Sequence, residues 1–345
     1  MGIIPQNSLI LNLLVIGVCF VILAKSAEYL VEGAVGIAYK LQVPKVLIGI
    51  VLVGFTTTAP EFTVSLIAAL GGYPEIALGN AVGSVIADDA LAMSLGIIFA
   101  PSAILVQAKT IKTYGLFLLG VIFLSFVLVY DGMVSRIEGI LLLVILVGYL
   151  SFVFLGEKKR KRTQSDEGRS TEIFASTNPG KLGVQITHFL IGLSGVLLAS
   201  RFLVDSAVNS ARIFGVSEAV IGLTLVAIGT SLPEIATCII ASRKGHGDLA
   251  FGDILGADLL NILWIVGASS AANPMRVPLR MIYFSFPIML FFVSLLLLFS
   301  WTGHKLTKWE GYFMLFFYML YTAAAIMLFY VHSGVISMPN VDIHV

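Results

Sequence analysis

The amino-acid sequence predicts an all-α polytopic membrane protein, with ten transmembrane helices arranged as two inverted five-helix repeats. Three observations carry this. The 345 residues are 58% hydrophobic and 12% charged, with a mean hydropathy of +0.99, which excludes an ordinary soluble domain. The apolar residues fall into runs that reach the roughly 20 residues needed to cross a hydrocarbon core. One polar stretch inside such a run occurs twice: Gly-Phe-Thr-Thr-Thr-Ala-Pro-Glu at 54–61 and Ala-Ile-Gly-Thr-Ser-Leu-Pro-Glu at 227–234.

The two copies align at an offset of 173 residues, which pairs Glu61 with Glu234, Pro60 with Pro233, Thr57 with Thr230 and Thr58 with Ser231. The same offset pairs Gly49 with Gly222, Gly79 with Gly252, Gly83 with Gly256, Asp88 with Asn261 and Glu32 with Asp205, so the chain is an internal duplication.

Taken in order, the predicted helices are 8–38, 43–70, 75–100, 112–130 and 134–155 in the first repeat. Those of the second are 181–211, 216–242, 248–271, 279–300 and 307–332. The first repeat covers 1–155, with its signature region at 43–100; the second covers 181–345, with its signature region at 216–273. Between them, 156–180 reads as a solvated loop carrying Lys158, Lys159, Arg160, Lys161 and Arg162. Placing that loop in the cytoplasm puts Lys40, Lys45, Lys109, Lys112, Arg243, Lys244, Lys305 and Lys308 on the same side. Arg136, Arg212, Arg276 and Arg280 fall on the other, and both termini become extracellular. The expected location is the cell membrane. No cleavable signal peptide is expected, because the first apolar run merges into a polar-studded helix.

An odd number of helices per repeat turns the second repeat upside down, the plan of many secondary transporters with midplane sites. Pro60 and Pro233 interrupt their helices and free carbonyls near residues 56 and 229. Free carbonyls at that depth are tolerated only where they line a cavity or bind something. A carboxylate there disfavours insertion by roughly 2.5–3.5 kcal/mol, which makes Glu61 and Glu234 functional candidates. Asn80, Ser84 and Asp88 share one face of the third helix; Asp253, Ala257 and Asn261 are their counterparts, and Asp258 leans toward that face. Gly79, Gly83, Gly252 and Gly256 permit close helix approach.

Carboxylates, hydroxyls and carbonyls, with neither sulfur nor histidine, form an all-oxygen set suited to hard cations such as Ca2+ or Na+. Buried carboxylates left empty repel one another, so such a site crosses the membrane only when cations or protons neutralise it. Alternative loading by two ions then gives obligatory exchange.

On the paired motifs Thr57-Thr58-Ala59-Pro60-Glu61 with Gly229-Thr230-Ser231-Leu232-Pro233-Glu234, and Gly79-Asn80-Ala81-Val82-Gly83-Ser84 with Gly252-Asp253-Ile254-Leu255-Gly256-Ala257, the chain resembles the cation/Ca2+ exchanger superfamily. It is most like the compact prokaryotic Na+/Ca2+ exchangers. The resemblance implies that Glu61 and Glu234 are shared ligands for Ca2+ and Na+, with the Thr57 and Thr230 carbonyls serving Ca2+. It implies that the Thr58, Ser231 and Ser84 hydroxyls and carbonyls near Gly54 and Ala227 serve Na+, and that Asp88 and Asn261 form the central pair. The first and sixth helices, oppositely inclined, would slide across the core. Three departures bear on the counter-ion: Asp88 and Asn261 are reversed relative to the common order, Ala257 replaces a serine, and Asp89, Asp253 and Asp258 are additional acids.

The function expected is Ca2+/Na+ antiport by alternating access, with H+/Ca2+ antiport on the same scaffold as the alternative. The partners expected are inorganic cations and the lipid bilayer, with no nucleic acid, protein partner, cofactor or enzymatic activity. An intramembrane aspartyl hydrolase would also use paired buried acids, but has no use for the duplicated hydroxyls and prolines. A channel would need a ring of charges or carbonyls that the sequence does not supply. Plainer roles are expected elsewhere. Cys19 and Cys238 pack, Lys25, Glu28 and Glu32 form helix-face ion pairs as Arg201 and Asp205 do, Asp89 points away from the Asp88 face, and the histidines and tryptophans cap or pack.

Overall fold

The structure, a computed structural model, describes residues 8–166, 181–214, 227–279 and 281–332. Helix α1 (Leu9–Leu41) leads through a short turn into a bent pair, α2 (Lys45–Thr57) and α3 (Ala59–Leu70), whose axes differ by 46°. Then come α4 (Ile76–Phe99), strand β1 (Ile104–Leu105), α5 (Ala108–Leu128), strand β2 (Met133–Val134) and α6 (Arg136–Asp166). After the connection, α7 (Leu182–Ile213) is followed by α8 (Ala227–Thr230), α9 (Leu232–Arg243) and α10 (Gly247–Ala272). Strand β3 (Met275–Arg276), α11 (Met281–Trp301), strand β4 (Lys305–Leu306) and α12 (Lys308–His332) complete the described chain.

Seven of the described helices are long and apolar enough to cross a membrane, and the bent α2–α3 pair counted as one span makes eight. This is a mostly helical, polytopic membrane protein. Residues 216–226 of the expected seventh helix lie outside the described residues; its remainder is α8 and α9, parted at Ser231. The basic run Lys158–Arg162, expected in a loop, is helical instead, because α6 continues to Asp166 through residues of good helix propensity with no glycine or proline after Gly156.

Burial separates core from periphery. The apolar window of α10 is 94% buried and that of α4 72%, against 17% for α1, so α10 and α4 form the centre and α1 faces lipid. Glycine sets the approach of α2 to α10: a Cβ on Gly252 would lie 2.3 Å from the Val46 carbonyl oxygen, and one on Gly256 2.4 Å from that of Ile50. Helices α1 and α7 meet the same way, with a Cβ on Gly33 falling 2.4 Å from the Phe189 nitrogen and one on Gly192 2.3 Å from that of Leu30.

Short ribbons close the two ends of the bundle. β1 pairs antiparallel with β4, and β2 with β3. Helix α4 contains a π-helical turn at Asp88–Ala92 and α10 one at Asn261–Val266. Such turns concentrate at functional sites.

Candidate ion site

The site grows from the two breaks. Pro60 and Pro233 each sit in the first turn of the helix after the break, where a missing N–H is tolerated. The residue at each break has nearly the same backbone: Thr58 at φ −76°, ψ −3° and Ser231 at φ −83°, ψ 7°. Each break therefore delivers a hydroxyl and, three residues later, a glutamate on the first turn of the following helix. Glu61 and Glu234 are both 1% exposed.

The two breaks meet. Thr58 Oγ1 lies 3.5 Å from Glu234 Oε1, a contact between the halves of the chain. Glu61 has Glu234, Asp88 and the Thr230 hydroxyl as electrostatic neighbours, and Asp88 has Glu234, Asp253, Asp89 and the Ser231 hydroxyl. Thr57 Oγ1 lies 3.4 Å from Asp253 Oδ1, and its counterpart Thr230 Oγ1 lies 3.4 Å from Asn80 Oδ1. Asn80 donates from Nδ2 to the Glu61 carbonyl at 3.2 Å and to Ser65 Oγ at 3.0 Å.

Most of these polar atoms are buried without a hydrogen-bond partner among the described residues: both carboxyl oxygens of Glu61, Asp88, Asp89 and Asp258, Glu234 Oε2, Asn261 Oδ1, and the hydroxyls of Ser84 and Ser231. A buried polar group left unmatched costs about 1–3 kcal/mol, more for a charged one, so an orphaned set in one place calls for an absent partner. No basic side chain supplies it: among the described residues, the ion pairs are Lys25–Glu28 and Lys244–Glu32, both away from this set. Nor do three His, Cys, Asp or Glu side chains converge tightly enough among the described residues to hold a metal alone. An ion here would draw hydroxyls and carbonyls into its shell.

The residues singled out in the sequence lie as follows. Thr57, Thr58 and Ser231 are fully buried at the breaks, Ser84 and Asp88 lie on α4, and Asn261 and Asp258 are buried on α10. Asp88 and Asn261 each open their helix's π-helical turn. The Gly54 carbonyl accepts the Thr58 N–H at 3.0 Å and lies 3.4 Å from the Thr57 hydroxyl, and Gly54 packs on the backbone of Gly256 and Ala257. Ala227 begins α8, and the residues before it lie outside the described set. Asp89 leaves the Asp88 face but stays inside the protein, where it meets Asp258. Trp264 packs, stacking on Phe62 at 4.0 Å beside Glu61.

Two residues were missed. Ser65 supports Asn80, and Thr237 Oγ1 lies 2.9 Å from Asp253 Oδ2. Their spacing was the available signal, since Ser65 follows Glu61 by four and Thr237 follows Glu234 by three, on the same helix face.

The pattern of the sodium/calcium exchanger protein family matches residues 11–155 and 184–327, one block in each half and both carrying a break. The chain belongs to that family. Among relatives of the exchanger, the inner membrane protein YrbG of Escherichia coli (strain K12) is 34% identical over 76% of this chain and 79% of its own length. The sodium/calcium exchanger MaX1 of Methanosarcina acetivorans is 28% identical over 93% of this chain and 99% of its own. The solved sodium-calcium exchanger NCX_Mj, in a form soaked with Na+ and Sr2+, superposes with a TM-score of 0.77 at 26% identity, covering 92% of this exchanger and 99% of that chain.

Proposed function

We propose that this exchanger moves Ca2+ across the membrane in return for Na+ by alternating access, with both ions using the oxygen-lined site between the two breaks. The observation that carries this is the meeting of Glu61 and Glu234, with Thr58 Oγ1 3.5 Å from Glu234 Oε1 and no basic side chain paired with them among the described residues. Glu61 and Glu234 are shared ligands; Thr57 and Thr230 contribute carbonyls to Ca2+. Thr58, Ser231, Ser84 and the backbone at Gly54 and Ala227 contribute oxygens to Na+, and Asp88, Asn261 and Asp258 complete the polar centre. Even at an effective dielectric near 20, two bare carboxylates about 4 Å apart repel by roughly 4 kcal/mol. Crossing empty is therefore slow, and crossing loaded is fast.

The site lies between two five-helix halves of opposite orientation, ten helices in all. Crosswise ribbon pairing supports the inversion. β1 and β3 are equivalent, each following the equivalent core helix, and β2 and β4 are equivalent in the next turn; yet β1 pairs with β4 and β2 with β3. Halves in the same orientation would put β1 and β4 on opposite faces, a full span apart. Matching burial supports the repeat itself, since Asn12, Cys19, Leu23, Leu30 and Gly33 on α1 are buried as are Gln185, Gly192, Val196, Leu203 and Ser206 at the same offset on α7. The Lys/Arg-rich connections support a cytoplasmic central connection with both termini outside.

A second reading, H+/Ca2+ exchange on the same scaffold, is favoured by Asp89, Asp253 and Asp258, acids at most 1% exposed that add to Glu61, Glu234 and Asp88, and by Ala257, which offers no hydroxyl. The experiment that tests both is Ca2+ flux in proteoliposomes with Na+, K+ and H+ gradients imposed one at a time. Na+ is expected to drive uptake. A response to the proton gradient alone moves the assignment to H+/Ca2+ exchange, and uptake that no gradient alters refutes exchange altogether.

A further inference from the structure

Equivalent positions in the two halves have unequal surroundings along one pair of helices. Helix α9 runs from Glu234 toward Lys244, and its counterpart α3 runs from Glu61 toward Gly71. Ile240 on α9 is 7% exposed, whereas Ile67, the same residue type at the same offset of 173, is 65% exposed. Most of α9 is buried, but on α3 only the stripe of Glu61, Ser65 and Ala69 is. One difference in neighbours goes with this: α1 packs along α9, while α7, the counterpart of α1, scarcely touches α3 among the described residues.

A duplicated fold with its halves in two arrangements has the form of an exchanger resting in one access state. Helix α1 covers the route from Glu234 to the face that carries Lys244, and the route from Glu61 to the opposite face lacks such a cover. The other state follows by exchanging the arrangements, α7 closing on α3 as α1 leaves α9.

The charges that join the closed edge belong to one half only. Glu32 pairs with Lys244, on another helix and not on its own face. Glu28, 3.0 Å from Lys25, has Lys244 and Arg243 within electrostatic range. The offset of 173 takes Glu32 to Asp205, but it takes Arg243 to Leu70 and Lys244 to Gly71. When α7 closes on α3, its acid therefore finds no base at the equivalent place. A contact made equally in both states shifts nothing, whereas one made in a single state shifts the balance by its own free energy.

We propose that the Glu32–Lys244 ion pair is a one-sided latch, which holds α1 against α9 and biases the exchanger toward the state closed on the Lys244 face and open on the other. The pair is partly solvated, with side chains 53% and 30% exposed, so the bias is modest: about twofold to fivefold in population. The inference rests on the alternating-access reading and adds to it which state the chain prefers and which residues set the preference.

The test reads the two faces separately. Right-side-out and inside-out membrane vesicles carrying the whole chain present opposite faces, and the half-saturating Ca2+ concentration for exchange is measured on each. An ion binds from a face only in the state open to it, so apparent affinity there scales with the population of that state. Glu32→Gln is expected to lower the half-saturating Ca2+ on the cytoplasmic face, which carries Lys244, by about twofold to fivefold, with no tightening on the opposite face. The exchanged pair, Glu32→Lys with Lys244→Glu, is expected to restore the wild-type values. Tighter binding on one face is a gain that mere damage to packing does not produce. Any other pattern overturns the proposal, as does an exchanged pair that behaves like Glu32→Gln. Should wild-type vesicles exchange no Ca2+, the transport reading fails, and amide hydrogen exchange of the purified chain in detergent decides the latch: Glu32→Gln must speed exchange across residues 237–245 by about twofold to fivefold, the exchanged pair must reverse it, and unchanged rates overturn the proposal.

Discussion

Thr58 of the first half hydrogen-bonds to Glu234 of the second, Oγ1 to Oε1 at 3.5 Å, so the residue at the first break reaches the acid that follows the second. The contact ties an acid to a hydroxyl that an ion can also use. Thr58→Val keeps the volume and removes the oxygen; a net hydrogen bond of about 1 kcal/mol gives roughly a fivefold weaker half-saturating concentration for the driving ion. Thr58→Ser is expected to stay close to wild type in the same vesicle assay.

With the two glutamates proposed as the ligands that both ions share, neutralising either one should stop exchange in both directions. Glu61→Gln and Glu234→Gln each remove a charge without changing shape. A loss of about 3 kcal/mol of ion binding corresponds to a roughly hundredfold fall in Ca2+ flux. Normal flux in either variant removes that residue from the site.

Close packing of α2 on α10 depends on Gly252 and Gly256, where a Cβ would fall 2.3 Å and 2.4 Å from backbone oxygens that cannot swing aside. Gly252→Ala and Gly256→Ala are each expected to cost about 1–3 kcal/mol, seen as a lower Tm in detergent. An unchanged Tm for both contradicts the packing described.

Outside the membrane-spanning segments, Lys45 Nζ lies 3.0 Å from His246 Nδ1 between the start of α2 and the turn before α10. Burial and then the neighbouring Lys45 ammonium hold His246 below the ordinary histidine value of 6.5. The folded chain therefore binds this proton less tightly than the unfolded chain. The stability that the neutral ring contributes is complete above about pH 6.5 and shrinks as the pH falls through that value. The Tm is expected to drop from about pH 7.5 to about pH 5.5, with a smaller drop in His246→Gln; equal drops in both remove His246 as a cause.

Much of this site was legible before any coordinates, for a physical reason: polar atoms are so costly inside an apolar span that Thr57, Thr58, Glu61 and their counterparts stand out, and duplication doubles the signal. Helix existence followed from hydropathy for the same reason. What stayed hidden depends on backbone detail. The π-helical turns at Asp88 and Asn261 have no composition of their own. The extension of α6 to Asp166 was masked by its charge, which reads as loop although lysine, arginine and glutamate form helices well. Thr237 and Ser65 were passed over because a lone hydroxyl in a membrane helix usually bonds back to its own backbone, and Thr237 is indeed within 2.9 Å of the Pro233 carbonyl as well as of Asp253.

Adding an oxygen tests the departure at position 257. Ala257 is fully buried on α10 beside Gly54, and Ala257→Ser puts a hydroxyl where the first half carries Ser84. Na+-driven Ca2+ uptake is expected to reach half its maximum at a severalfold lower Na+ concentration. A higher concentration requirement means that the added hydroxyl crowds the site instead of ligating.

The central claim is that the site cannot turn over empty. Vesicles loaded with radioactive Ca2+ and diluted into choline medium, buffered and free of exchangeable cations, should retain their Ca2+, and adding the driving cation outside should release it at once. Equally fast release into the cation-free medium would contradict the claim, because it would mean that the bare carboxylates cross the membrane without a neutralising ion.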